Sequence, residues 1–394
     1  MKNLQIIALM DCDSFFVSCE QLDNPSLKNK PVCVLGNNDG CVISRSKEAK
    51  AMGVKMGMPY FMAKKEFPNA IYVSSRYQRY VELSKHIMEL LLTFSPTIEQ
   101  YSIDEAFIDL TGLRRLYRKS YVEIAKMIRT EILNKIGIPV SIGISTTKTL
   151  AKLASNKAKK GIGVYIIGYR SIKKELQNTD INDIWGVGKN TAALMGKYGI
   201  KNAYDYSQQS DEWIRQKLGI RGVQMKEELS GNAVFKVNNS KILPKSIQNT
   251  RSFANFTSNR NYIKNSLIYH INNACFRLRE LGLKAGCVKV ILKTKDFRYF
   301  VEKKIFVTPT DWDTDVVQTA VEIFEKIYSE KEIYRSSGIV LENLVKSEDV
   351  QMSLFSNQEK ETKKEYLATC IDKLTKKFKK NIVKIGYAES PKND

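Results

Sequence analysis

The sequence predicts a multi-domain α+β protein, with a ferredoxin-like sheet in its first half and a second small α+β domain in its last third. Three observations carry this. Over residues 4–167 the apolar pattern reads strand, helix, two strands, helix, strand, with a hairpin insertion after the first helix. That is the ferredoxin-like order. From residue 180 the texture changes to short helices and glycines, and a polar stretch over 237–246 then separates a further mixed region. A chain of 394 residues also exceeds what one core normally serves.

Taken in order, residues 4–10 are a continuous apolar run and read as a buried central strand. The run ends at Asp11-Cys12-Asp13, and residues 14–21 read as a helix with Asp13 or Ser14 as its N-cap. A carboxylate at a strand's end then lies beside free helix N–H groups, which suit a phosphate. On these residues alone a plain capped turn is the equal alternative. Two β-rich runs flank Asn38-Asp39-Gly40 within 30–44, a hairpin signal. A helix over about 46–52 carries Lys47 and Lys50, with Arg45 just before it, and Gly53, Gly57 and Pro59 break it. Lysines on a short helix usually form a solvated face.

Helical spacing returns over 80–93 and 121–136. Residues 140–145 read as a strand, 147–160 as a basic amphipathic helix ending at Gly161, and 164–167 as a short strand.

Between the two long helices lies the stretch Tyr101-Ser102-Ile103-Asp104-Glu105-Ala106-Phe107. Neighbouring residues on a strand point to opposite faces. Asp104 and Glu105 therefore share one site only if the chain bends there, as at a tight hairpin. Two ionised carboxylates that close repel unless a cation lies between them. Magnesium suits that place, being hard and commonly held by carboxylates plus substrate phosphates. For an acidic pair taken alone, a capped turn with one solvated acid is the plainer reading. The second acidic stretch at Asp11 shifts the balance.

In the second half, Ile184-Trp185-Gly186-Val187-Gly188-Lys189-Asn190-Thr191 has the look of a helix-hairpin-helix turn. Its glycines let backbone amides approach a DNA phosphate, and an ordinary helix connector is the alternative. It is not a P-loop, because Asn190 follows Gly188-Lys189 where Ser or Thr is needed. Residues 245–344 mix strands with helices at about 259–281 and 313–328. Beyond 345 the chain is polar and Lys-rich, with weak helical spacing through Tyr366, Ile371, Leu374 and Phe378.

Lys and Arg number 63 against 42 Asp and Glu, a net charge of +21. Such a balance points to nucleic acid or an anionic membrane. No apolar run approaches a transmembrane length, and the first residues lack a signal-peptide pattern, so the membrane reading loses ground. Seven cysteines with no C-x-x-C pair, and only two histidines, argue against a structural zinc site and fit reduced cytosolic thiols. The scarcity of His also argues against His-based acid–base catalysis.

With Asp11, Asp104-Glu105 and the basic helix in view, the chain resembles the Y-family DNA polymerases, and among them the UmuC-type catalytic subunit of DNA polymerase V. The blocks that carry this are Asp11-Cys12-Asp13-Ser14-Phe15-Phe16-Val17-Ser18-Cys19-Glu20, Gly36-Asn37-Asn38-Asp39-Gly40-Cys41-Val42, Glu48-Ala49-Lys50-Ala51-Met52-Gly53-Val54-Lys55-Met56-Gly57, Tyr101 to Phe107 as quoted above, and Thr147-Lys148-Thr149-Leu150-Ala151-Lys152-Leu153-Ala154. They are jointly specific, and the match spans nearly the whole chain.

The resemblance implies a palm at 1–22 and 81–170, fingers at 23–80, a helix-hairpin-helix thumb at 171–236, a linker at 237–246, an α+β little finger at 247–346, and a tail at 347–394. It implies low-fidelity, template-directed translesion synthesis in DNA repair and the SOS response, without proofreading, in the cytoplasm. Asp11, Asp104 and Glu105 become catalytic metal ligands for two magnesium ions, with the Cys12 carbonyl as a further ligand. The N–H groups of Phe15 and Phe16, with Ser44, Lys50 and Lys159, match triphosphate-binding positions. Phe16 matches the steric gate against a ribose 2′-hydroxyl. Lys47 and Lys50 stand where many relatives carry Tyr and Arg, and lysine lacks the bidentate fork of arginine. Gly186, Gly188, Lys189 and Arg251 are the DNA-contact candidates. Gln351, Leu354 and Phe355 resemble a Gln-x-x-Leu-Phe peptide that docks on the sliding clamp. Further implied partners are primer–template DNA, deoxynucleoside triphosphates, and a UmuD-like subunit with a recombinase filament.

Two other classes compete. A nucleotide cyclase also uses a ferredoxin-like sheet with carboxylates and two metals, but leaves the hairpin-helix turn, the second α+β domain and the charge unexplained. A catalytically silent DNA-binding scaffold has no need of three acids.

Overall fold

The structure is a computed structural model that describes residues 5–239, 243–350, 358–378 and 383. The chain divides into two compact units, Met1–Ser240 and Lys241–Asp394.

The first unit opens on β1 (Ile7–Cys12), buried at every position. It is a central strand, paired antiparallel on both edges and buried on both faces, and that double burial is why its sequence is apolar rather than alternating. The strand runs two residues beyond the expected 4–10, because Asp11 and Cys12 still pair with the flanking strands. Helix α1 (Phe15–Asp23) follows at once. Its capping differs from the expectation. Ser14 holds the N-cap position but sits in the left-handed region, φ 48, and makes no side-chain cap. Its hydroxyl instead accepts from Lys50 Nζ at 3.0 Å, and Asp13 Oδ1 accepts from Ser141 Oγ at 2.8 Å.

The insertion contains β2 (Val32–Leu35), β3 (Val42–Arg45), α2 (Lys47–Ala51), α3 (Tyr60–Glu66) and β4 (Ile71–Ser74). The expected hairpin, β2 with β3, gains a third strand: β4 pairs parallel with β2. A parallel partner arrives through a long crossover, so no turn signal announces it.

The chain then returns through α4 (Tyr77–Leu92), β5 (Ile98–Gln100), β6 (Glu105–Asp109), α5 (Leu113–Tyr117), α6 (Tyr121–Ile136), β7 (Val140–Ser145), α7 (Lys148–Ala158) and β8 (Val164–Ile166). The sheet order is β5-β6-β1-β7-β8. Its first four strands are antiparallel neighbours in the ferredoxin-like arrangement, and β8 adds parallel to β7. Gly143 on β7 decides where α7 lies: a Cβ there would meet Ser155 N at 1.9 Å. Its absence seats α7 directly on the sheet.

Four helices follow: α8 (Ile172–Gln177), α9 (Lys189–Lys197), α10 (Ala203–Ser207) and α11 (Asp211–Leu229). Their apolar faces pack with Leu150, Leu153 and Ala154 of α7. Glu228, fully buried, joins the two parts. Its carboxylate accepts the Thr149 N–H in the first turn of α7 at 3.0 Å, and the N–H groups of Val234 and Phe235 at 2.8 and 3.0 Å. The polar stretch after 236 begins as an ordered strap. Val237 is buried, and Asn239 Oδ1 accepts from Ile98 N–H at 2.7 Å.

The second unit comprises β9 (Ile247–Thr257), α12 (Arg260–Glu280), β10 (Leu283–Thr294), β11 (Tyr299–Thr310), α13 (Asp313–Ile327), β12 (Tyr334–Lys346) and α14 (Gln358–Phe378). The four strands form an antiparallel sheet in the order β11-β10-β12-β9. Helices α12 and α13 cover one face around Ile263, Leu267, Ile271 and Phe324. The weak helical spacing of the tail is realised as α14, which docks through Arg279: its guanidinium donates twice to Asp372, at 2.8 and 2.9 Å, and once to Asp313 at 2.7 Å.

Candidate active site

The acidic site forms where β1 and β6 end together. Their register sets Asp11 opposite Glu105, and the Cys12 N–H donates to the Asp104 carbonyl at 2.9 Å. The expected bend is present. Tyr101 N–H donates to the Glu105 carbonyl at 3.0 Å, Ser102 Oγ donates to Asp104 Oδ1 at 2.5 Å, and the Asp104 N–H returns to Ser102 Oγ at 3.2 Å. Asp104 and Glu105 thus reach one cleft despite being neighbours in sequence.

Helix α7 supplies the counter-charge. Lys159 Nζ lies 2.6 Å from Asp11 Oδ2, and Lys152 Nζ lies 3.4 Å from the same atom while also bonding Glu105. Burial, and then the adjoining Asp11 carboxyl, push the Glu105 carboxyl above its ordinary range, with Lys152 opposing. Burial would raise Asp11 as well, but the hydrogen bond it shares with Glu105 and the two lysines outweigh this and hold it low. Two carboxylates that cannot both ionise comfortably mark a place for a cation.

The donor set fits a hard cation: Asp11 and Glu105 side by side, Asp104 on the same cleft, and main-chain oxygen at Cys12. The Cys12 thiol takes no part, being buried against Met10 Sδ at 3.9 Å, with its pKa pushed far up by burial. Among the described residues no three His, Cys, Asp or Glu side chains converge tightly enough to hold an ion. Asp104 is turned to Ser102 Oγ.

A cleft of about 200 Å³ opens beside the acids. Its lining includes Asp11, Cys12, Phe15, Phe16, Ser44, Lys50, Asp104, Glu105 and Lys159, which gathers all the metal and nucleotide candidates read from the sequence. Ser14, Arg45 and Met56 join them. Arg45 donates to the Val54 carbonyl, while its Nε is buried without a partner. Lys50 is shifted down by burial and by Arg45 and Lys159. Three cations thus face three acids across one cleft, and the first-turn N–H groups of α1 have no intrahelical partner.

The Phe16 ring stacks on Tyr80, with centroids 4.7 Å apart at 21°. Tyr80 is fully buried, and its hydroxyl donates to Glu20 Oε1 at 2.7 Å. Glu20 is in turn held by Arg76 at 2.6 Å. Sequence reasoning missed Tyr80, Glu20, Arg76 and Lys152. Glu20 and Lys152 stand in the family blocks without an assigned role, and Lys152 also lies two helical turns before Lys159 and so on the same face of α7.

The DNA-contact candidates are dispersed. Gly186 at φ 93 and Gly188, the N-cap of α9, form an exposed turn with Lys189. Trp185 ties that turn to the acidic hairpin through edge contacts with Tyr101 at 5.3 Å and a tilted contact with Phe107 at 5.8 Å. Arg251 is on β9 of the second unit, half-buried, on the strand side that carries Asn249 and Phe253 toward the helices. Gln351, Leu354 and Phe355 lie outside the described residues.

Comparison with known proteins places the chain in a family. The model of the impB/mucB/samB family matches residues 10–156, and that of the family's C-terminal domain matches 244–354. Protein UmuC of Salmonella typhimurium is 32% identical, across 89% of this chain and 86% of its own length. DNA polymerase IV of Clostridium kluyveri is 30% identical, across 97% of this chain and 98% of its own. A solved Y-family DNA polymerase chimera of Dbh and Dpo4 superposes with a TM-score of 0.73 at 25% identity, over 86% of this chain and 99% of that one. Such membership carries with it a dependence on a divalent metal ion. No described helix is long and apolar enough to cross a membrane. The chain belongs to the impB/mucB/samB family of Y-family translesion DNA polymerases, close to UmuC.

Proposed function

We propose that the cleft at Asp11, Asp104 and Glu105 adds deoxynucleotides to a primer 3′-end with two magnesium ions held by those acids and the Cys12 carbonyl. The observation that carries this reading is the single cleft in which three acids face Arg45, Lys50 and Lys159, with Phe16 beside them. The primer 3′-oxygen attacks the α-phosphorus of the nucleotide, a new P–O bond forms, and pyrophosphate leaves. When bound, the metal supplies charge neutralisation for the attacking and leaving oxygens. Lys50, Arg45 and Lys159 hold the triphosphate, with Ser44 and the first-turn N–H groups of α1. Phe16 lies under the sugar.

In this reading the palm is 1–22 and 81–170, the fingers 23–80, the thumb 171–236 and the little finger 247–346. The turn at Gly186, Gly188 and Lys189 accepts DNA phosphates on its amides, and a UmuD-like subunit assists in the cytoplasm. A primer-extension assay with magnesium and deoxynucleotides tests the whole. Template-dependent products support it. Cyclic nucleotide formed without DNA points to a cyclase, and DNA binding without products to a scaffold.

Two further outcomes are expected. Primer–template affinity falls steeply with salt, log K dropping by about 0.9 per log unit of salt for each phosphate neutralised. A titration showing salt-insensitive affinity contradicts the role given to the +21 charge. Replacing Gln351, Leu354 and Phe355 together with Ala leaves distributive synthesis on a short primer–template near normal and removes stimulation by a sliding clamp. A few apolar anchors in a polar segment carry such docking. Clamp stimulation that survives the triple variant shows that docking lies elsewhere.

A further inference from the structure

At one end of the sheet in the second unit, three exposed aromatic rings alternate with two cations. Tyr299 is 61% exposed, Phe297 60% and Phe256 54%. Lys293 Nζ lies 4.6 Å from the Tyr299 ring centre and 4.7 Å from that of Phe297. The Arg335 guanidinium lies 4.1 Å from the Phe297 centre and 5.5 Å from that of Phe256. The series Tyr299, Lys293, Phe297, Arg335, Phe256 therefore runs across all four strands, from β11 to β9.

Phe297 is kept there against its backbone preference. It ends the loop of the β10–β11 hairpin, which is closed by Thr294 N–H to the Arg298 carbonyl and Phe297 N–H to the Thr294 carbonyl, both at 3.0 Å. Its φ is 67, in the left-handed region, where a bulky residue is an outlier. Three-residue hairpin loops favour glycine at that place. A loop that served only to turn the chain would carry glycine, not a ring in solvent between two cations.

We propose that this ladder binds single-stranded DNA, with bases stacking on Tyr299 and Phe256 and the phosphates between them meeting Lys293 and Arg335. Every nucleobase offers a π-face, so rings set in a cationic track bind an unpaired strand without regard to sequence. A duplex keeps those faces stacked inside and gains only the charge. An apolar protein partner fits less well, because the rings are interleaved with cations. Neither Lys293 nor Arg335 forms an ion pair among the described residues. Of the nearby acids, Glu332 is occupied by Arg298 at 2.7 Å, and Asp296 sits at the loop tip. The proposal rests on the polymerase reading only in that such an enzyme handles an unpaired template.

The test uses the full chain, a labelled oligothymidylate and a blunt duplex of equal length, read by fluorescence anisotropy. Phe256→Ser with Tyr299→Ser is expected to weaken oligothymidylate binding by about tenfold or more, and duplex binding by less than about twofold, where the charge term dominates. Phe297→Gly removes the middle ring while relieving its backbone, so it weakens the same oligonucleotide and melts no lower than the parent. Unchanged oligothymidylate affinity, or equal losses on both ligands, overturns the proposal. Primer extension by the unaltered chain is scored separately. An inactive chain whose single-strand affinity still drops in the variants sinks the polymerase reading and leaves the ladder standing. An active chain with unaltered single-strand affinity does the reverse.

Discussion

Primer extension falls by about a thousandfold or more in Asp11→Asn, in Asp104→Asn and in Glu105→Gln, while primer–template affinity stays within a few fold. The magnitude follows from what the metal supplies. Several kcal/mol of transition-state stabilisation depend on charge at this position, and each 1.36 kcal/mol is about tenfold in rate. Affinity survives because it comes mainly from Lys and Arg contacts to phosphates. The fold survives too. Glu105→Gln leaves Lys152 beside Asp11, and Asp11→Asn leaves Lys159, whose side chain is 37% exposed, in contact with water. Neither change strands a buried charge, and Glu105→Gln relieves a carboxyl that burial and Asp11 already push toward its neutral form. Its melting temperature is therefore expected to equal or exceed the parent's. Robust extension by any of the three variants removes the catalytic assignment. A large fall in DNA affinity alongside lost extension points instead to damaged binding.

Phe16→Ala is expected to raise ribonucleotide incorporation relative to deoxynucleotide on the order of a hundredfold, the range over which pocket shape discriminates small groups. Phe16 is half-buried on the cleft, and its ring is levelled by Tyr80 beneath it. The competing view treats Phe16 as a core residue of α1, and a lower melting temperature alone does not separate the two. The deciding measurement is the ratio of kcat/KM for ribo- over deoxynucleotide, which is independent of the fraction folded. If that ratio is unchanged, Phe16 is not the gate. Tyr80→Phe keeps the stacked ring and removes only the hydroxyl to Glu20, so its effect on the ratio is expected to be small.

The sequence by itself determined those features that depend on neighbours along the chain. Helix α6 was legible to both ends, because Ser120 and Glu123 form a capping box and Gly137 closes it at φ 84. The hairpin bend at Asp104 was legible because adjacent acids on a regular strand cannot share a site. The family blocks located the candidate metal and nucleotide residues, which line one cleft.

What only the tertiary structure decided depends on partners far apart in sequence. No local pattern encodes the register that sets Asp11 against Glu105, the parallel pairing of β4 with β2, or the seating of α7 over Gly143 that brings Lys152 to both acids. Tyr80 meets Phe16 and Glu20 only because α4 packs on α1. Phe256, Phe297 and Arg335 are separate, ordinary residues until four strands align them. Propensity and capping act within a turn or two, whereas register and helix seating are fixed by burying one face of each element against another. That is why the acids could be singled out from the chain and the framework that aims them could not.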